Sequence, residues 1–307
     1  MSFDFIWFTQ PDGSLNCGYD PRPEDTENLV ASLPHATFAA AAPDCMAKDD
    51  GNAFCYRALA KCEGTTQLHA RNQGSYGTCV GHGTANGADI TTACEIVLKG
   101  EPETWPGMES ADAMYGLGRD LSGNLGGGDG SYGGAAAKAV LFGSLHMKNY
   151  DGVIDLSSYS GDRARNWARH GVPENVKDVA HPHPFRSAAR VTTVDEARAA
   201  LQNGYGINIC SNQGFSSHRD SDGFARASGS WSHSMTLIAW RSDKRAALIW
   251  NSWGDGWISG PVWPEDMPGG SFWCDERTLE HILNAKDSFA YSNYAGFPAQ
   301  SIDWGDM

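Results

Sequence analysis

Gln73-Gly-Ser-Tyr-Gly-Thr-Cys79 decides how this chain is read. It sets one cysteine just past two glycines, at the head of a predicted helix, with a glutamine six residues upstream. The helix reading rests on Val80, Ile90, Ala93, Ile96, Val97 and Leu98 between Thr78 and Lys99, with Gly100 as the stop. Gly81, Gly83 and Gly87 lie inside it. Each costs about 1 kcal/mol against alanine in a helix interior, so close packing against another backbone must hold this helix. A cysteine attacks only as thiolate, and the unpaired amides of a helix start lower its pKa.

Working outward, a base for that thiol must come from elsewhere in the chain. Ser232-His233-Ser234 and Asn251-Ser-Trp253-Gly254 are the candidates. Between them, Met235–Trp240 and Ala246–Trp250 read as two buried strands joined over 241–245. A turn near Ser242 brings His233 and Asn251 together across neighbouring strands, within side-chain reach even with a one-residue offset. The spacing also predicts a helix over Ala135–Phe142, and a capping box at Thr193 and Glu196 opens another that stops by Gly204. Ile207 and Ile209 alternate as a strand, and Leu145–Arg190 reads as loop-rich. His181 and His183 read as an extended exposed loop rather than a metal site. The Gly-rich run Ser122–Gly134 lacks the Gly-Lys-Ser/Thr ending of a phosphate cradle.

The 307 residues carry a formal charge of −14 and no basic run, which excludes a nucleic-acid backbone as partner. No apolar stretch reaches the roughly 18 residues of a membrane span. Met1–Phe8 has an early Asp4 and no positive flank, so it reads as a short strand or apolar plug rather than a secretory signal. A cytoplasmic location is the expectation, with a virion or other assembly as the alternative. The eight cysteines form no C-x-x-C pair, so free thiols are expected. The cluster Cys45, Cys55, Cys62 leaves room for one bridge or metal, while Cys94, Cys210 and Cys274 read as core. No cofactor and no metal are expected. Residues 1–70, with a short helix near Glu27–Leu33, read as an arm that wraps the domain or contacts a larger protein assembly.

In the order nucleophile, base and amide, these patches resemble the three motifs of papain-like cysteine proteases. The resemblance implies an α+β fold, a helical layer (71–190) against an antiparallel, barrel-like β layer (191–307), with the cleft between. It implies Cys79 as nucleophile, His233 as general base and acid, Asn251 as orienter, and Gln73 with the Cys79 amide as oxyanion donors. Trp253 would shield the Asn–His bond from water. Tyr132, Gly133 and Gly134 are similar to the loop that binds an extended peptide substrate, with Ser232 beside the base.

The chain departs from the family at several points. Tyr76 stands where the family has a disulfide cysteine, and Val80 replaces the aromatic residue after the nucleophile. Cys79 precedes His233 by 154 residues and Asn251 by 172, beyond the family's roughly 130–150. No pro-segment of the family's kind is recognised. Peptide-bond hydrolysis through a Cys79 thioester is the leading expectation. A non-catalytic papain-fold subunit of a larger, even viral, assembly is the second, and an amidase or acyl transferase using the same triad the third.

Overall fold

In the computed structural model, residues 15–47, 51–101, 103–299, 302 and 304 are described; Met1–Phe8 lie outside them. A two-residue strand, β1 (Leu15–Asn16), leads into four short helices: α1 (Pro23–Ser32), α2 (Phe38–Ala41), α3 (Pro43–Met46) and α4 (Tyr56–Glu63). Pro23 at the first helical position, with Glu24 and Asp25 in the first turn, starts α1. Cys17, Tyr19, Phe38, Cys45, Cys55, Tyr56 and Leu59 are all buried in the same apolar cluster as the later strands.

The central helix α5 (Cys79–Leu98) is followed by α6 (Ala111–Leu121) and α7 (Gly133–Phe142), which both pack against it. The internal glycines of α5 have the predicted reason. A Cβ on Gly81 would sit 2.4 Å from the Ala111 carbonyl oxygen, and one on Gly83 2.6 Å from Asn208 Oδ1. Helix α5 is therefore pressed by α6 on one side and by the sheet on the other.

The stretch 145–190 is more regular than its sequence suggests. A small hairpin, β2 (Asn149–Tyr150) with β3 (Ile154–Asp155), precedes α8 (Gly161–His170) and α9 (Glu174–Ala180). The Ser160 side chain caps α8 by accepting from the Arg163 amide. Ala164, Trp167 and Ala168 supply its apolar inner face, a narrow stripe on a helix that is otherwise polar and rich in arginine.

The second layer is a sheet of β4 (Ser187–Arg190), β5 (Ile207–Arg219), β6 (Ala225–Arg241), β7 (Ala246–Trp250), β8 (Ser271–Cys274) and β9 (Phe289–Ser292). Their order is β4-β9-β5-β6-β7-β8, all antiparallel, while β1 joins β6 in parallel. Helices α10 (Val194–Gln202), opened by the Thr193–Glu196 capping box, and α11 (Glu276–Leu283) pack on this sheet. No disulfide links the eight cysteines, and no metal-holding group of side chains occurs among the described residues. Cys45 and Cys55 point their thiols at the carbonyls of Phe297 and Leu201 instead of at each other. Among the described residues no helix is long and apolar enough to cross a membrane.

Candidate active site

Cys79 is the first residue of α5, and His233 and Asn251 come from β6 and the end of β7. The β6–β7 ladder pairs Thr236 with Trp250, which carries Asn251 opposite Met235 rather than His233. The two side chains nevertheless meet on the diagonal, His233 Nε2 lying 2.7 Å from Asn251 Oδ1. Oδ1 also accepts from the Ser252 amide at 2.7 Å, which fixes the amide's orientation. An oxygen only accepts, so Nε2 carries the ring proton and Nδ1 is left as the bare base. Nδ1 has no hydrogen-bond partner.

Trp253 stacks on the His233 ring, centroids 4.7 Å apart at 29°. Trp231 and Trp257 lie against Trp253, at 4.9 and 5.5 Å. This aromatic roof removes water from the His–Asn bond, which strengthens the bond electrostatically.

The Cys79 thiol lies against the backbone N–H groups of Ser234, Val80 and Cys79 itself, all of which favour thiolate. Burial outweighs them and pushes the thiol up to about 12. Burial likewise pushes the His233 imidazole down to about 4, against the pull of Asn251. Burial thus favours the uncharged form of both groups and works against a thiolate–imidazolium pair in this closed state. His82, one turn along α5, is buried with neither ring nitrogen bonded and packs edge-on against Tyr159.

What closes the site is the chain's own N-terminal region. The Cys17 amide donates to the Ser232 carbonyl at 3.0 Å, and the Tyr19 amide to the same oxygen at 3.2 Å. The Cys17 carbonyl accepts from Gln73 Nε2 at 3.0 Å. On the far side Ser131 donates to the Gly18 carbonyl and accepts from the Asp20 amide, at 2.9 and 2.8 Å. Residues 15–20 thus bridge the two layers as a strap that bends at Cys17 and Gly18. Gly18 makes this possible: its φ is +109°, and a Cβ there would lie 2.1 Å from the Gly77 oxygen. Beneath the strap Cys79 is 0% and His233 1% exposed.

Gln73 is clamped. Its second N–H serves the Tyr76 carbonyl at 2.8 Å, and its Oε1 accepts from Ser252 Oγ at 2.8 Å. Gly133 and Gly134 do not offer their amides to the strap. Those N–H groups donate to the Asp287 carboxylate at 2.7 and 2.9 Å, while buried Tyr132 precedes the first turn of α7. The backbone that meets an extended segment belongs to Ser131, one residue earlier, and to Ser232.

Asp287, buried and raised to about 6 by that burial, also accepts from Thr26 Oγ1 at 2.9 Å and interacts with the Tyr19 phenol. Asp287, Ser131 and the strap escape a reading by motif because no local spacing marks them. Only Cys17-Gly-Tyr19, a glycine beside a cysteine near the start, offers a trace.

Tyr76, at the position of the family's disulfide cysteine, instead anchors the loop to α8. Its hydroxyl donates to Asp162 at 2.7 Å, Arg165 lies 4.6 Å over its ring, and Gly161 leaves room for the ring.

No family model matches the sequence, and no curated protein does. Among solved structures the chain is similar to xylellain, a cysteine protease from Xylella fastidiosa. The TM-score is 0.55 at 15% identity, covering 90% of this chain and 96% of that one. It is also similar to procathepsin B from Trypanosoma congolense, with TM-score 0.51, 12% identity, and 90% and 85% of the two chains covered. At such identities the likeness is one of fold: this chain has the papain-like fold, a helical layer against an antiparallel sheet.

Proposed function

We propose that the protein is a papain-like cysteine peptidase held latent by residues 15–20. The observation that carries this reading is the 2.7 Å His233–Asn251 bond, which leaves Nδ1 bare, together with a cysteine at the tip of α5 whose thiol meets the backbone amide of Ser234, the residue after His233. With the strap displaced, water reaches both groups. The desolvation that keeps them neutral is relieved, and the proton passes from Cys79 to His233 Nδ1. The thiolate attacks a peptide carbonyl carbon, and the carbonyl π electrons move to oxygen. The Cys79 amide and the Gln73 N–H vacated by the Cys17 carbonyl receive that oxygen. Collapse breaks the C–N bond, and the leaving amine takes the proton from Nδ1. Water, deprotonated by His233, then cleaves the thioester and restores Cys79. A polypeptide is the substrate; the Ser131 and Ser232 backbone groups that hold the strap would hold its extended chain.

The filled cleft also favours a second reading, a non-catalytic papain-fold subunit of a larger assembly. Mapped iodoacetamide labelling and hydrolysis of a mixed fluorogenic peptide library separate the two, using wild type, Gly18→Val and Gly18→Val with Cys79→Ala. Valine at 18 expels the strap. A peptidase then labels at Cys79 on the order of 10²-fold faster than an ordinary thiol and cleaves peptide only while Cys79 is present. A Gly18→Val thiol no faster than a free cysteine leaves only the scaffold.

A further inference from the structure

The residue that the strap lays across the catalytic centre is itself a cysteine. Cys17 hangs between the Ser232 carbonyl, one residue before His233, and the side chain of Gln73, six residues before Cys79. Next to it, Gly18 packs onto Gly77, two residues before Cys79. Cys17 and Cys79 are both fully buried and share one apolar cluster. We propose that Cys17 is the resolving thiol of Cys79, so that peroxide oxidation of the nucleophile is trapped as a Cys17–Cys79 disulfide that fastens the strap in the cleft.

The chemistry runs in two balanced steps. Hydrogen peroxide oxidises the Cys79 thiolate to sulfenic acid, the peroxide O–O bond breaking and hydroxide leaving. The Cys17 thiol then attacks that sulfur; an S–S bond forms and water is released. A dithiol such as dithiothreitol reduces the disulfide to the two cysteine thiols and is itself oxidised to its disulfide. The first step needs an opened strap, because burial holds the Cys79 thiol up at about 12 and raises Cys17 as well, with Cys79 adding to the rise. Opening breaks the strap's bonds to Ser232, Gln73 and Ser131, but β1 itself is two residues long and pairs with one strand only. When the strap recloses, Cys17 returns to its place between Ser232 and Gln73, near enough to Cys79 for the two thiols to influence each other.

Cys210 is the competing thiol. It sits on β5 opposite Ser234, inside the ladder, where its Cα cannot approach Cys79 without breaking sheet hydrogen bonds. The strap is held at its edge by bonds to Ser232, Gln73 and Ser131 rather than between two long strands, which favours Cys17.

The inference rests on Cys79 as the reactive sulfur, not on peptide hydrolysis, so its test reads sulfur oxidation. Full-length protein is treated with low hydrogen peroxide and peptide-mapped without reduction. The expected product is a Cys17–Cys79 linked peptide, two hydrogens lighter than its parts and separated by dithiothreitol. Cys17→Ala should lose the link and accumulate Cys79 sulfinic acid on the order of tenfold faster. Cys210→Ala should keep the link. Equal sulfinic acid formation in wild type and Cys17→Ala, or a Cys79–Cys210 link, overturns the proposal. A linked product in a protein that cleaves no peptide would leave this inference standing while the peptidase reading falls.

Discussion

The carbonyl oxygen of Cys17 accepts a hydrogen bond from Nε2 of Gln73 at 3.0 Å. Gln73 has no freedom to turn away, because Tyr76 takes its other N–H and Ser252 holds its Oε1. The N–H aimed at Cys17 is a pre-aligned donor whose present acceptor belongs to the same chain. Such a donor costs no reorganisation when another carbonyl replaces that acceptor.

The closed state fixes the pH dependence of Cys79 alkylation. With the thiol at about 12, thiolate is scarce and rises with pH. The wild-type rate should climb about tenfold per pH unit from neutral into the alkaline range without a plateau. In Gly18→Val the plateau should begin below about pH 7, where a histidine-paired thiolate is already formed. Mass-spectrometric labelling rates from pH 5 to 10 check both profiles.

Asn251→Ala should strand two donors, the His233 Nε2–H and the Ser252 amide, in a buried site. Each unsatisfied group costs about 1–3 kcal/mol, to be read from urea midpoints. In the strap-expelled background, hydrolysis should fall on the order of 10²-fold, because the ring loses its orientation.

Asp287→Asn should loosen the start of α7. The carboxylate serves the Gly133 and Gly134 amides and Thr26 Oγ1, and an amide offers only one acceptor oxygen. A stability loss of about 1–3 kcal/mol is expected. Amide exchange at Gly133 and Gly134 should quicken before that of α5.

Arg71→Met should be among the costliest substitutions outside the triad. Arg71 Nη2 lies 2.6 Å from Asp89 Oδ2, with the Asp89 side chain fully buried. Burial already raises Asp89 to about 6 despite Arg71. Removing the guanidinium leaves that charge uncompensated, at about 3–5 kcal/mol. Without Arg71 the carboxyl titrates higher still, so the deficit against wild type should grow from pH 5 to pH 8. Urea unfolding at the two pH values tests this.

The sequence by itself determined the helix that begins at Cys79, the capping box at Thr193 and Glu196, and the strands that flank residues 241–245. It also brought His233 and Asn251 together across neighbouring strands. Those features are local: a periodic stripe, a cap, a turn, each written in residues close along the chain. It did not mark α8, whose apolar face is three residues wide, nor the ladder that sets Asn251 opposite Met235. Only the tertiary structure decided that Cys17 and Gly18 lie against Ser232, Gln73 and Gly77, that Ser131 rather than Gly133 meets the strap, and that Asp287 closes the start of α7. These are backbone hydrogen bonds and single carboxylate contacts between segments 56 to 215 residues apart. Such contacts depend on where two distant backbones come to rest, and a backbone amide has the same chemistry whichever residue carries it.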